Sequence, residues 1–342
     1  MFRFIAVLSV FTTLPAWCAD WNPRLAATYL DSRQKQWASW APANKQGVPC
    51  VSCHTGETYL LVRPALRKAL GESQPTEYET GLLNSLRSRV GKKTAKEMFG
   101  ENAKEPHASQ AAGVESIFAA LFLGTEAFDR MWSFQLVDGD AKGAWAWNTF
   151  DLDPWEMPES TFYGAALAAM ATGEAPAEYR ARPDVRERVA SLTAYLQREL
   201  PTQPLHNRLI ALWAATKLPE AVPVASRRQI LDEIWQKQQQ DGGWTIEALG
   251  KWNEHPKAPR SPGTNSYATG LTAFILEKTG VAPSDPRLAK ALGWLKSHQD
   301  PEFGYWDATS LNKPYEADYP PVLFMRDAAT AYATLALLES RK

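Results

Sequence analysis

The chain has 342 residues, of which 45% are hydrophobic and 22% are charged, and its formal net charge is −1. This composition is typical of a globular protein with enough apolar residues for one large core or two small ones. The near-neutral charge and the lack of a basic stretch argue against a nucleic-acid partner.

The chain begins with a predicted signal peptide, residues 1–19. A positive charge precedes an apolar run, Phe4–Leu14, that is too short to span a bilayer, and Ala16 and Cys18 stand at the −3 and −1 positions of a cleavage site. Cleavage after Ala19 and lipidation of Cys18 are alternatives. We therefore expect an exported protein, periplasmic or otherwise, and no transmembrane segment in the mature chain.

Twelve helices follow, predicted from apolar residues at spacings of three and four with Pro or Gly near the ends. Charged amphipathic helices such as DVRERVASLTAYLQREL alternate with Ala-rich apolar ones such as STFYGAALAAMATG. A helix that is apolar on all sides is buried on all sides. The alternation predicts an all-α fold, a single α6/α6 toroid over residues 20–342. The predicted helices are Arg24–Ser39, Glu57–Leu70, Thr76–Val90, Ser109–Leu123, Glu126–Val137, Glu159–Ala171, Pro183–Glu199, Leu205–Lys217, Ala225–Gln239, Asn265–Lys278, Pro286–His298 and Arg326–Ser340.

A Cys-x-x-Cys-His motif lies between the first two helices, with Cys50, Cys53 and His54 as its fixed positions. Two thiols at this spacing can add to the two vinyl groups of haem, which places the following histidine on the iron as proximal ligand. A redox pair, a zinc site and a plain disulfide are the alternatives, although zinc needs four ligands and there is no second cysteine pair. We expect one covalent haem c, bound by a segment of about residues 45–110.

The second axial ligand of the iron is predicted to be His107 or Met98, both of which precede the next apolar helix. An iron without a sixth ligand would favour catalysis over electron transfer. The other methionine candidates are Met131, Met157, Met170 and Met325.

Three later turns share a pattern in which a Gln is followed by a Gly and then by a Trp. We expect each Gln to bond the last carbonyls of its own helix and each Trp to pack over the start of the next. The turns are Gln135…Gly143-Ala144-Trp145, Gln240-Asp241-Gly242-Gly243-Trp244 and Gln299-Asp300…Gly304-Tyr305-Trp306.

Two of these stretches, IWQKQQQDGGW and WLKSHQDPEFGYW, resemble the Gln-Trp repeats of squalene-hopene cyclases and their relatives, the terpenoid-cyclase and protein-prenyltransferase toroids. The resemblance covers roughly residues 125–340 and implies the toroid fold. It also implies acid catalysis at an Asp-x-Asp-Asp motif, for which Asp151 and Asp153 are the nearest match. Pro154 stands where the last aspartate should be, so we expect an ordinary turn here and no cyclase activity. Zinc-dependent prenyltransfer is not expected, because both cysteines of the mature chain are predicted to be attached to haem.

Aromatic side chains cluster in turns that the toroid would bring to one end. We expect them to form the mouth of an apolar cavity for an isoprenoid or another apolar molecule, with packing between helices as the alternative. They are Trp145, Trp147, Trp155, Trp244, Trp252, Tyr305 and Trp306. The expected function is electron transfer to a redox partner protein; the alternatives are a haem-dependent enzyme acting on an apolar substrate and a polysaccharide-processing toroid.

Overall fold

The computed structural model describes residues 21–45, 48–253, 255–258, 262–317 and 319–342. The predicted signal peptide and Cys18 lie outside these residues. The described chain is all-helical, as predicted, apart from one short antiparallel pair formed by β1 (Asn44–Lys45) and β2 (Val48–Pro49). Within the described residues, none of the helices has both the length and the apolar character needed to cross a membrane.

Fifteen α-helices are found in the described chain. In order they are α1 (Pro23–Ser39), α2 (Gly56–Leu70), α3 (Glu77–Val90), α4 (Ala95–Phe99), α5 (His107–Leu123), α6 (Phe128–Ser133), α7 (Ser160–Glu174), α8 (Ala177–Arg180), α9 (Pro183–Glu199), α10 (Leu205–Ala214), α11 (Val224–Gln236), α12 (Ile246–Leu249), α13 (Ser266–Lys278), α14 (Pro286–Ser297) and α15 (Phe324–Glu339).

Each of the twelve predicted helices overlaps one of these, while the short helices α4, α8 and α12 were not predicted. The largest error in length is at α6, which was predicted to run to Val137 and ends at Ser133. It stops because Gln135 leaves the helix to pair with Trp145 across the following turn. The spacing of apolar residues along a helix does not indicate a backbone pairing between residues ten positions apart.

The apolar helices contact one another in a fixed order. Helix α5 packs on α7, α7 on α10, α10 on α13, α13 on α15 and α15 on α2. The residues of α13 from Ser266 to Leu276 are all buried, whereas α9 has only four buried residues among its seventeen. The charged helices lie against this series, with α1 on α2 and α15, α3 and α6 on α5, α9 on α7, α11 on α10, and α14 on α13 and α15.

Three turns between a charged helix and an apolar helix make the same set of hydrogen bonds. The indole Nε1 of Trp145 donates to Met131 O (2.7 Å), that of Trp244 to Ile234 O (2.8 Å) and that of Trp306 to Leu295 O (2.7 Å). Each tryptophan thus satisfies a carbonyl in the last turn of the charged helix before it, which is the role that was expected of the glutamine.

The glutamines bond differently from the prediction. In each turn the side-chain amide donates to the carbonyl of the turn glycine and to a carbonyl near the start of the next charged helix. The pairs are Gln135 with Gly143 and Arg188, Gln238 with Gly242 and Arg287, and Gln299 with Gly304 and Asn22. The prediction that Gln240 fills this position in the second turn is wrong, because Gln238 does. These glutamines join neighbouring charged helices rather than capping their own.

Candidate functional site

A cleft of about 670 Å³ lies between the loop before α2 and the start of α5. Cys50, Cys53 and His54 line one part of its wall and His107 another, so four of the predicted haem-site residues face a single cavity. The volume falls within the range of roughly 300–1,000 Å³ of pockets that bury small molecules and cofactors.

The loop that carries the motif is fixed by hydrogen bonds on both sides. Trp37 Nε1 donates to Cys50 O (2.8 Å), and Cys50 N donates to Ala43 O (2.8 Å). The hydroxyl of Ser52 accepts from Thr55 N (3.2 Å) and Gly56 N (3.0 Å), which satisfies two backbone donors at the start of α2. The two cysteines are therefore presented by a turn that the surrounding protein holds in place.

His54 is buried against the start of α15, where its ring stacks on Phe324 with centroids 3.3 Å apart. Its Nδ1 lies 3.4 Å from the Thr55 hydroxyl, and that hydroxyl donates to Asp327 Oδ2 (2.7 Å). Since the Thr55 hydrogen is committed to Asp327, its oxygen can only accept, and Nδ1 of His54 carries the hydrogen. The lone pair of His54 is then on Nε2.

The ionisation of this histidine suits a metal ligand. Burial, followed by the charge of Arg33, lowers the pKa of His54 well below its usual value, so the ring is neutral. Asp327 is in turn bonded by Arg33 Nε (2.7 Å) and by the Tyr29 hydroxyl (2.8 Å), so its charge is compensated inside the core. A metal-binding imidazole is usually oriented by a hydrogen bond from its other ring nitrogen to a carboxylate, a carbonyl or water, and here the Thr55 hydroxyl, itself bonded to Asp327, takes that position.

Both cysteines are present as thiols, and Cys53 is almost completely buried. Burial, with a smaller contribution from the charge of Glu156, raises the pKa of the Cys53 thiol well above its usual value. Reactive redox cysteines have the opposite property, since their thiolate is stabilised by a positive environment. The arrangement argues against the redox-pair interpretation of the motif.

His107 begins α5 at the exposed rim of the cleft, with its ring 5.0 Å from that of Phe150. Its Nδ1 is 3.2 Å from Gln110 Oε1, while Gln110 Nε2 donates to the Thr149 hydroxyl (3.1 Å). Because the facing amide atom is an oxygen, Nδ1 of His107 donates and Nε2 keeps its lone pair. Both histidines of the cleft thus have the tautomer that binds iron through Nε2.

Met98, the other predicted distal ligand, does not line this cleft. It is buried in a separate small cluster with Ala95, Ala108 and Ala112, and Arg130 Nη2 donates to its sulfur (3.1 Å). The remaining methionine candidates, Met131, Met157, Met170 and Met325, are also buried and are not part of the cleft wall.

Two buried glutamates of the cleft wall were missed by the sequence analysis. Burial raises the pKa of Glu156 to about 7, and this side chain interacts with Cys53 and Asn148. Glu115 accepts from Arg89 Nη1 (2.8 Å), and burial raises its pKa. The signal for Glu115 was a single acid inside the apolar stretch AAGVESIFAAL; Glu156 gave none, because it stands in a turn.

Asp151 and Asp153 lie in a loop beside the cleft but not in its wall. Asp151 is exposed with a φ of 52°, and its carbonyl accepts from Asn312 Nδ2 (2.7 Å). Asp153 is buried, Asn253 N donates to its Oδ2 (2.7 Å), and burial raises its pKa. These contacts connect the loop to two segments that are distant along the chain.

The expected aromatic mouth is wrong, because none of its seven members lines the cleft. Trp145, Trp147, Trp155, Trp244 and Trp306 are fully buried between helices. Trp147 fits only because Gly164 has no side chain, since a Cβ there would lie 2.1 Å from the indole ring. The cleft is walled instead by other rings, among them Trp37, Trp40 and Phe324.

Comparison with protein-family models and with curated proteins gives no match for this chain. Within the described residues, no group of three or more His, Cys, Asp or Glu side chains is placed to hold a metal ion. A haem requires no such group, because the porphyrin supplies four ligands and the protein one or two. The residues present fit a haem: two thiols, two imidazoles and a largely apolar wall share one cleft.

Proposed function

We propose that this protein is an exported c-type haem protein that transfers electrons to a redox partner. A single observation carries the proposal: Cys50, Cys53, His54 and His107 line the same cleft, although His107 is far from the motif along the chain. The sequence alone offered His107 and Met98 as equal choices. The cleft favours His107 and gives the motif a cavity of suitable volume.

A bound haem supplies an iron that takes up and releases single electrons. The Sγ atoms of Cys50 and Cys53 would each add to a vinyl group, forming two thioether bonds and passing the thiol hydrogens to the vinyl carbons. His54 and His107 would bind through Nε2, each held in that tautomer by a hydrogen bond at Nδ1. The rings of Trp37, Trp40 and Phe324 would exclude water from the porphyrin.

We also propose that the helices form an α6/α6 toroid of the terpenoid-cyclase type. Support comes from the contact order of the apolar helices, from α5 through α15 to α2, and from the charged helices packed outside them. The three turns with shared Trp and Gln bonds are the expected joints of such an array. Export is supported by the predicted signal peptide and by the need to mature c-type haem outside the cytoplasm.

The experiment is an absorption spectrum of protein purified from cells that mature c-type haem. We expect a band of the reduced protein at about 550 nm, where c-type haem absorbs, that survives denaturation and acid-acetone extraction. The double variant Cys50→Ala/Cys53→Ala should lose it. Ser39→Ala, on the exposed end of α1, is the control that should keep it. An extraction-resistant haem in the double variant would overturn the proposal.

The second candidate function is a haem-dependent enzyme acting on an isoprenoid or another apolar substrate. It is favoured by the position of His107 at the exposed rim of the cleft, where loss of this ligand would open the iron to a small molecule. Carbon monoxide binding by the reduced wild-type protein, with apolar lipid co-purifying, would favour the enzyme. Neither result is expected of an electron-transfer protein.

A further inference from the structure

A buried tyrosine and a buried histidine are hydrogen-bonded in the core, away from the cleft. Tyr267 on α13 and His206 on α10 have no solvent exposure, and the Tyr267 hydroxyl lies 2.7 Å from His206 Nε2. Neither residue touches the cleft wall, and neither is needed to hold a haem.

The direction of this hydrogen bond follows from the neighbouring amide. Asn207 Nδ2 donates to Glu159 O (3.1 Å) and to Gln203 Oε1 (3.0 Å), so the Asn207 oxygen faces His206 Nδ1 at 3.0 Å. Nδ1 must then carry the hydrogen of the imidazole, and Nε2 is its acceptor. The Tyr267 hydroxyl therefore donates to His206.

The two groups have the ionisation states that such a bond requires. Burial lowers the pKa of His206 to about 4, so its Nε2 lone pair is available at neutral pH. Burial, followed by the charge of Glu57, raises the pKa of Tyr267 well above its usual value, so the phenol keeps its proton. A buried hydrogen bond by itself is ordinary, because most buried polar groups are paired.

What sets this pair apart is a continuous series of aromatic contacts that begins at the predicted iron ligand. The ring of His54 lies 5.8 Å from that of Trp155, and Trp155 lies 5.5 Å from Tyr267. On the far side, His206 lies 6.1 Å from Trp252, which is only partly buried. Trp and Tyr are the side chains that most readily lose an electron, so the series connects the haem cleft to the surface through this pair.

We propose that Tyr267 and His206 form a proton-coupled redox site that exchanges single electrons with the haem through Trp155, an inference that rests on the haem attachment proposed above. A phenol that loses an electron becomes a strong acid and needs an acceptor for its proton. Tyr267 has one in His206. Tyr163, equally buried and stacked on the same histidine, has a hydroxyl without a hydrogen-bond partner.

The oxidant for this site would be hydrogen peroxide, which would reach the iron where His107, at the exposed rim of the cleft, leaves it. Hydrogen peroxide takes up two electrons and two protons, its O–O bond breaks and two water molecules form. The electrons leave Tyr267 one at a time, and each time the phenolic proton passes to His206 Nε2. A one-electron donor of the phenol class then reduces Tyr267 by way of Trp252, and the proton returns from His206. Two such rounds supply the two electrons, and the solvent supplies the two protons, that one hydrogen peroxide molecule takes up.

The test is electron paramagnetic resonance of the haem-loaded protein, frozen after mixing with hydrogen peroxide. We expect a tyrosyl radical in the wild-type protein and in Tyr163→Phe, which is the matched control. Tyr267→Phe should lose the radical, and His206→Gln should diminish it because an amide cannot hold the proton. A radical that persists unchanged in Tyr267→Phe, or the absence of any tyrosyl signal in haem-loaded wild type, would overturn the inference.

Two further measurements keep the result unambiguous. The haem spectrum of every sample separates the two proposals, since a protein without covalent haem contradicts the proposed function, whereas a haem-loaded protein without the radical contradicts only this inference. If Tyr267→Phe does not fold, wild-type protein with ring-deuterated tyrosine should give a narrowed signal that His206→Gln diminishes. An unchanged signal in His206→Gln would overturn the role of the histidine.

Discussion

What already binds each side chain favours one of the two proposed axial ligands over the other. His107 Nε2 keeps its lone pair at the cleft, whereas the Met98 sulfur accepts a hydrogen bond from Arg130 and is buried outside the cleft wall. We expect His107→Ala to create an open sixth position, so that the reduced protein binds carbon monoxide. Met98→Leu, a volume-conserving change, should leave the absorption spectrum as it is. Carbon monoxide binding by Met98→Leu but not by His107→Ala would reverse the assignment.

A second prediction at the residue scale concerns Glu57, whose two carboxylate oxygens are buried without a hydrogen-bond partner. Burial raises the pKa of Glu57 to about 8, so the folded protein keeps a proton that the unfolded chain releases above its usual pKa of 4.5. Stability is therefore fully present below about pH 4.5 and is lost as pH rises toward 8, by up to about 1.4 kcal/mol for each pH unit.

The variant Glu57→Gln cannot ionise and should not show this loss. Its free energy of unfolding, measured in urea, should match wild type near pH 5 and exceed it increasingly toward pH 8. Glu178→Gln, on an exposed short helix, is the control and should follow wild type throughout. A constant difference between Glu57→Gln and wild type across this range would show that Glu57 is ionised in the folded state.

At the scale of elements, the motif loop depends on α15, a helix from the other end of the chain. The Thr55 hydroxyl connects His54 Nδ1 to Asp327, which is 272 residues from Thr55 along the sequence. A hydrogen bond at Nδ1 adds electron density to the imidazole and favours the oxidised iron. We expect Thr55→Val to raise the midpoint potential by tens of millivolts, where about 59 mV is a tenfold change in a one-electron equilibrium.

The control for that variant is Thr58→Val, one turn further along α2. The Thr58 hydroxyl donates to the His54 backbone carbonyl (2.6 Å) and has no contact with the ring nitrogen. Its removal should leave the potential of the haem near that of wild type. Equal potentials in Thr55→Val and wild type, measured by redox titration, would mean that Asp327 does not act on the iron ligand.

The helices could be predicted from the sequence, whereas the cleft between them could not. Local periodicity predicted the twelve long helices and which of them are buried, because each helix reports its own surroundings through its apolar residues. The cleft depends on contacts between distant segments, such as His54 with Phe324, and no local pattern encodes them. For the same reason the sequence suggested Gln240 as the bonding glutamine of the second turn. Gln238 has that role because its amide reaches Arg287 O on the next charged helix, a contact that no local pattern encodes.

At the scale of the whole molecule, Gln299 adds a further link between the first and last parts of the described chain. Asn22, which caps α1, donates its backbone N–H to Gln299 Oε1 (2.6 Å), and Gln299 Nε2 donates back to Asn22 O (3.0 Å). In the other two turns the equivalent glutamine joins successive charged helices. Here Gln299 joins α14, the last charged helix of the described chain, to α1, the first one, as the proposed toroid requires.

This link between α14 and α1 predicts that Gln299→Ala weakens the whole fold and not only its own turn. Three hydrogen bonds are lost, including the one to Gly304 O, and we expect the free energy of unfolding in urea to fall by roughly 1–2 kcal/mol. Amide exchange should quicken in α1 as well as in α14, because the two helices lose a shared partner. Gln240→Ala is the matched control, since its exposed side chain lies in the equivalent turn without that role. Faster exchange confined to the turn after α14, with α1 unaffected, would mean that the first helix is held by its packing on α2 and α15 alone and that the link through Gln299 adds no stability.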